Sequence, residues 1–151
     1  VPKNPPEVRH LQIEANLVRL LVPLVPADCS LLDGAGVVVD ETDDTYLEAD
    51  LALSSEVFSA DQQYLREPSL VIEVLAPETN EHDLGLKLPR YWDMPSVQEF
   101  LFVSSTERAV RHWWRDGRSW IMKTLIDKGS VDLVTLATRL DLDDIYRRVA
   151  I

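Results

Sequence analysis

The chain contains a single cysteine, Cys29, so no disulfide can close within it. No Cys/His spacing matches a zinc site. No apolar run approaches the roughly 18 residues that a membrane span needs. A secretory leader is not visible at the start, and because the chain opens on Val1 rather than Met, an upstream piece is expected. A cytoplasmic domain without membrane attachment is the default expectation. Positive charge is also short: 15 Lys and Arg stand against 26 Asp and Glu, giving a formal net charge of −11. Such a balance excludes tight, non-specific wrapping of nucleic acid. What remains is ample for one folded unit, since 151 residues with 46% hydrophobic content can build a single core. Residues 1–9 read as an extended lead-in and 10–151 as one domain.

The charge is unevenly placed. Asp33 to Asp83 holds 14 acids and one base, Arg66, whereas Lys87 to Lys128 holds 8 bases and 5 acids. A cation can be held by the first stretch and a phosphate backbone met by the second, although both can equally be solvated faces.

Apolar spacing predicts an amphipathic helix from Glu7 to Val22, stopped by Pro23 and Pro26. Cys29–Leu32 and Val37–Val39 read as strands around Asp33-Gly34-Ala35-Gly36. Tyr46–Leu53 alternates, which puts Leu47, Ala49, Leu51 and Leu53 on one face and Glu48, Asp50 and Ala52 on the other. Leu70–Leu75 is nearly all apolar, as in a central strand covered on both faces. Thr79 or Asn80 can cap a helix to about Trp92, which Pro89 should kink or split. Phe100–Val103 reads as a strand, and Ala109–Trp114 with Ser119–Leu125 as a hairpin around Arg115-Asp116-Gly117-Arg118. A short helix is expected near 142–149.

Glu73 is the anomaly, a carboxylate inside Leu70–Leu75. Burying it alone costs several kcal/mol unless a cation or hydrogen-bond donors compensate. Otherwise its strand lies at an edge and the acid faces water. Asp50 is the matching oddity, an acid in an alternating strand, which could also simply be exposed. If these strands are neighbours, both carboxylates can project from one sheet face beside a backbone carbonyl. Such an oxygen-rich site suits a hard divalent cation such as Mg²⁺ or Mn²⁺. Lys87, in the following helix, can fold back over the same site, or it can pair on the surface with Asp83.

An acidic strand residue, then Glu in an apolar strand, then Lys, resembles the PD-(D/E)xK nuclease superfamily. The usual Lys position, two residues after the Glu, is Leu75 here. The Uma-two family, a branch classed with restriction endonucleases, carries its Lys in the next helix. Its motifs resemble segments here in order: His10-Leu11-Gln12-Ile13 with Leu17, Tyr46–Leu53, Leu70–Thr79, Asp83–Tyr91 and Gln98–Val103. Ala49 and Ala76 depart from that pattern, which has Pro and Ser there, and the family's first strands are missing or truncated. The resemblance implies an α/β, restriction-endonuclease-like core, a mixed central sheet flanked by helices, with a C-terminal hairpin. It implies Asp50, Glu73 and the Val74 carbonyl as metal ligands, Lys87 as the catalytic lysine, and Mg²⁺-dependent hydrolysis of DNA phosphodiesters by metal-activated water.

His10 and Glu14, one turn apart, can face the same cleft or form an ordinary solvent-facing pair; His82 can help cap the second helix. His112, Trp113 and Trp114 can stack on bases or serve as core. The alternative to an enzyme is a catalytically silent module with a nuclease fold that binds or regulates. A homodimer is the default assembly.

Overall fold

The computed structural model describes residues 5–42, 45–77 and 81–151. Thr79 and Asn80, the expected caps, lie outside the described residues, as do the side chains of His82 and Asp83.

Helix α1 (Val8–Leu21) runs close to its expected bounds and buries Ile13, Leu17 and Leu21. The four-residue spacing of these three makes one apolar stripe. A 3-10 turn at Val22–Leu24, with Pro23 inside it, ends the helix. Strands β1 (Ser30–Asp40), β2 (Thr45–Ser54), β3 (Tyr64–Leu65) and β4 (Pro68–Leu75) follow, then helix α2 (Glu81–Asp93). Next come β5 (Glu99–Ser104), β6 (Ala109–Asp116), β7 (Ser119–Ile126), β8 (Ser130–Leu133), β9 (Thr138–Asp141) and the short helix α3 (Leu142–Ile145).

Seven strands form one mixed sheet in the order β3-β1-β2-β4-β5-β6-β7, and β8-β9 form a separate ribbon. β4 and β5 are parallel, joined through α2, while β1–β2, β2–β4, β5–β6 and β6–β7 are antiparallel. β4 is thus central, as its near-continuous apolar run requires. One side of the sheet packs under α1, α3 and the β8–β9 ribbon, through Leu51, Leu53, Leu70, Ile72, Val74, Leu101 and Val103. The other side packs under α2, through Ala52, Val71, Phe100, Phe102, Trp113, Leu84 and Tyr91.

Three expectations are corrected. The two short strands expected around Asp33–Gly36 are one strand of 11 residues. Gly34 makes that possible by adopting φ +64 within it, a conformation that costs glycine nothing and other residues strain. The single face expected for Leu47, Ala49, Leu51 and Leu53 is broken. Leu47 and Ala49 pack with Ala52 on the α2 side, and Leu51 and Leu53 on the α1 side. The alternation slips at Asp50, and in β1 the same slip puts Leu32 and Ala35 on one side. Asp33 pairs with Leu51 and Ala35 with Ala49, so Gly34 stands opposite Asp50 at the slip. Finally, of the kink or split expected at Pro89, the split does not occur: α2 runs on through it. The hairpin forms as expected, with Asp116 pairing Ser119 across Gly117, whose φ is +61.

Candidate metal centre

Glu73 sits in mid-sheet with 4% exposure, on the side that carries α2. Helix α2 folds back over it. Lys87 Nζ lies 3.2 Å from Glu73 Oε2, and the Tyr91 hydroxyl donates to Oε1 at 2.8 Å. Lys87 and Tyr91 are four residues apart, one helical turn, so a single face of α2 supplies both donors. Burial, opposed by Lys87, pushes the Glu73 carboxyl up to about 7; Asp50 adds to the rise. Tyr91 is buried against the same acid, which drives its phenol far upward and keeps it an O–H donor.

Asp50 reaches the same level of the sheet from β2. Leu51 pairs with Ile72 as the last β2–β4 pair at this end, so the register puts Asp50 opposite Glu73, where the strands part. The backbone N–H of Val74 donates to Asp50 Oδ2 at 2.6 Å, so a side chain replaces a ladder partner at this fork. The other oxygen, Oδ1, faces α1, where His10 Nε2 lies 3.6 Å away. His10 Nε2 is 3.8 Å from Glu14 Oε2, one turn further along the helix. One ligand atom from each of His10, Glu14 and Asp50 falls within 4.8 Å of the others. Burial, with the charges of Asp50 and Asp33 added, pushes Glu14 up to about 7, even though His10 opposes it. The contact with Asp50 raises His10 above its ordinary value.

Helix α1 is held in place by its buried stripe and by long-range bonds. Gln12 donates to the Arg148 carbonyl, and Asn16 donates to the carbonyls of Ile145 and Arg147.

Of the residues singled out from sequence, Glu73 and Lys87 are brought into direct contact. Asp50 joins them from the neighbouring strand, although its contacts are with α1 and the Val74 amide, whereas those of Glu73 are with α2. The centre therefore lies at a fork reached from both layers, not on one sheet face. Val74 meets Asp50 through its N–H. The expected surface pairing of Lys87 with Asp83 falls on a side chain outside the described residues. Tyr91 was missed, though its i, i+4 spacing from Lys87 was a usable signal.

The donor set suits a hard cation. His10, Glu14 and Asp50 each place a ligand atom within 4.8 Å of the others, with Glu73 on the neighbouring strand outside that group; burial and the charge of Asp50 push both Glu14 and Glu73 up to about 7, and among the described residues His10 Nδ1 is buried with no partner. A divalent ion would supply the missing positive charge. A surface cavity of about 570 Å³, lined by Val38, Glu41, Tyr46, Tyr64 and Arg66, lies toward the other end of β1 and β2. It contains none of these groups, and an ion needs no such volume.

The basic second half is partly spoken for. Arg115 donates to the carbonyls of Trp92, Met94 and Val97, closing the end of α2, and lies over the Trp120 ring. Arg108 binds Asp143 and the Asp127 carbonyl. Trp113 stacks on Phe100 in the core, and His112 is buried against Glu99, so neither is an exposed platform for bases. Glu99 also accepts from the Val134 amide and from both donors of Thr135, tying the loop after β8 to the sheet.

The family model described as Uma2, putative restriction endonuclease, matches residues 1–143. The chain belongs to the Uma2 family. An uncharacterized protein of Synechocystis sp. is 32% identical over 89 residues, which is 58% of this chain and 47% of that protein. The chain thus spans about half the length of this curated relative. A crystal structure titled as a putative nuclease belonging to DUF820, from Anabaena variabilis, superposes with a TM-score of 0.77 at 13% identity. The match covers 99% of this chain and 87% of that one, and it establishes a shared fold. The expected restriction-endonuclease-like α/β architecture is therefore the one observed. Among the described residues no helix is long and apolar enough to cross a membrane.

Proposed function

We propose that this Uma2 protein is a divalent-metal-dependent nuclease that hydrolyses phosphodiester bonds in DNA. One observation carries the reading: Lys87, from a helix, is held 3.2 Å from a buried strand carboxylate, Glu73, at the fork where Asp50 also arrives. A buried acid that retains a cationic partner and a second acid beside it makes a poor structural element and a suitable ion site.

In this reading Asp50, Glu73 and the Val74 carbonyl hold Mg²⁺ or Mn²⁺. When bound, the ion supplies Lewis acidity to water and to a phosphate oxygen. Val74 N–H fixes Asp50 Oδ2, so the carboxylate cannot swing away. Tyr91 fixes Glu73 Oε1. Lys87, 29% exposed at its side chain, can release one of its three protons' hydrogen bonds from Glu73 toward solvent and substrate. There its charge stabilises the negative charge that builds on phosphorus-bound oxygens. The net charge of −11 argues for selective rather than broad nucleic-acid binding.

The test is cleavage of supercoiled plasmid with Mg²⁺ or Mn²⁺, comparing the wild type with Glu73→Ala and Lys87→Ala. Cleavage that persists unchanged in both variants would remove the assignment. A catalytically silent binding module has one observation in its favour: both oxygens of Glu73 already accept a hydrogen bond. A carboxylate oxygen has lone pairs to spare, so this does not exclude an ion. A folded protein that takes up no Mn²⁺ would favour the silent module.

A further inference from the structure

The main sheet has two edges, and they differ. β3, at one end, is two residues long. So short a strand offers almost no unpaired backbone. β7, at the other end, has eight residues and, among the described residues, pairs with β6 alone, in unbroken register from Ser119 to Ile126. It has no proline and no bulge, and its single charge is Lys123. Its outer row of N–H and C=O groups is open to a further strand. All its residues but Trp120 and Leu125 are exposed, among them Met122 at 53% and Ile126 at 68%. A long, regular edge that carries apolar side chains is what an added strand requires.

The strand is complementary to itself. A two-fold axis perpendicular to the sheet sets two copies of β7 antiparallel and continues both sheets into one. Directly opposed residues then share a face, so their positions differ by an even number. Two registers satisfy this and pair all but one residue of each strand, one centred on Met122 and the other on Lys123. Centring on Lys123 sets two ammonium groups against each other, which is unfavourable. Centring on Met122 opposes the two thioethers and sets Trp120 against the partner's Thr124. Trp120, Met122 and Thr124 share the α2 side, where Thr124 Oγ1 lies 3.3 Å from Met122 Sδ. Lys123 then meets the partner's Ile121. Asp127, just past the end of β7, comes level with the partner's Arg118 in the β6–β7 turn, so opposite charges meet at each end.

We propose that β7 is the interface of a two-fold homodimer in which two seven-stranded sheets join edge to edge, with Met122 on the axis. The occupant is a second copy of this chain, because one register joins the strand to itself with no like charges opposed and with opposite charges at both ends. The interface stands apart from the nuclease reading: β7 carries none of the candidate metal ligands, and neither proposal needs the other.

Sedimentation velocity over a concentration series reads the assembly. The wild type should sediment as a dimer that dissociates on dilution. Met122→Lys puts two ammonium groups face to face on the axis, so this variant should be monomeric where the wild type is dimeric. Its circular dichroism should be unchanged, since Met122 is exposed. Cross-linking tests the register. In a Cys29→Ser background, which removes the one native thiol, Met122→Cys should be joined between copies by a short bis-maleimide. Ile126→Cys should be joined far less, because residue 126 opposes 118 of the other copy and its own counterpart lies roughly 27 Å away along the strand. A monomeric wild type, or a dimer that survives Met122→Lys, overturns the proposal. So does cross-linking no better at 122 than at 126, and that comparison decides even if Met122→Lys fails to fold.

Discussion

Tyr91 donates a 2.8 Å hydrogen bond to Glu73 Oε1, leaving Oε2 to Lys87 one helical turn earlier. The pair of contacts explains how a carboxyl group with 4% exposure is tolerated in the middle of a sheet. Both compensating donors come from one face of α2, so the helix and the acid are mutually dependent.

Tyr91→Phe removes one donor and leaves the rest of the ring in place. The variant should lose about 1–3 kcal/mol of stability, the usual cost of stripping a hydrogen bond from a buried charged group. Urea unfolding in a metal-free buffer measures it, and an unchanged midpoint would mean that Lys87 alone satisfies Glu73.

Lys87→Ala should reduce metal-dependent cleavage by about 10²–10³-fold, in the range found when one donor to developing charge is removed. Lys87→Arg should restore little, because a planar guanidinium does not replace a compact ammonium in the same space. Plasmid-cleavage rates, with circular dichroism to confirm folding, decide it.

Stability of the metal-free protein should fall as pH rises from about 4.5 to about 7. Glu73 and Glu14 have folded-state values near 7, above the ordinary 4.5, so the folded state holds more protons than the unfolded chain in that window. Glu73 faces Lys87 and Tyr91 of α2 and Asp50 of β2; Glu14 faces His10, Asp50 and Asp33. His10 acts in the same direction, since a raised imidazole contributes stability below its unfolded value that is lost as pH climbs through its folded one. Thermal melts from pH 5 to 8 with a chelator should show the decline, and added Mn²⁺ should reverse it at the upper end. A flat profile would mean that these acids are not raised.

Glu99→Ala should destabilise the fold by about 3 kcal/mol or more, since several buried groups lose their hydrogen-bond partner at about 1–3 kcal/mol each. It strands His112, the Val134 amide and Thr135 together. Its effect on Mn²⁺ affinity should be small. Glu99 is level with Leu70 whereas Glu73 is level with Phe102, about 10 Å further along the strands. Denaturation and Mn²⁺ titration of the same sample separate the two effects.

Local sequence was sufficient where a single element set the outcome. The apolar stripe of α1, the uninterrupted Leu70–Leu75 run and the Gly117 turn each specify their own geometry through period, burial and backbone freedom. The oddness of Glu73 was also legible, because a charge in an apolar run is costly wherever the strand lies. Tertiary structure alone decided which groups meet. Asp50 and Glu73 are 23 positions apart, and His10 is 40 from Asp50. Only strand register and the docking of α1 and α2 on opposite sides bring them to one fork. The slip at Gly34 and Asp50 was invisible to an alternating pattern, because it arises from two strands departing from regularity together. The partners of Glu99 were hidden for the same reason: a carboxylate's hydrogen bonds are short-range, and chain distance carries no information about who comes within reach.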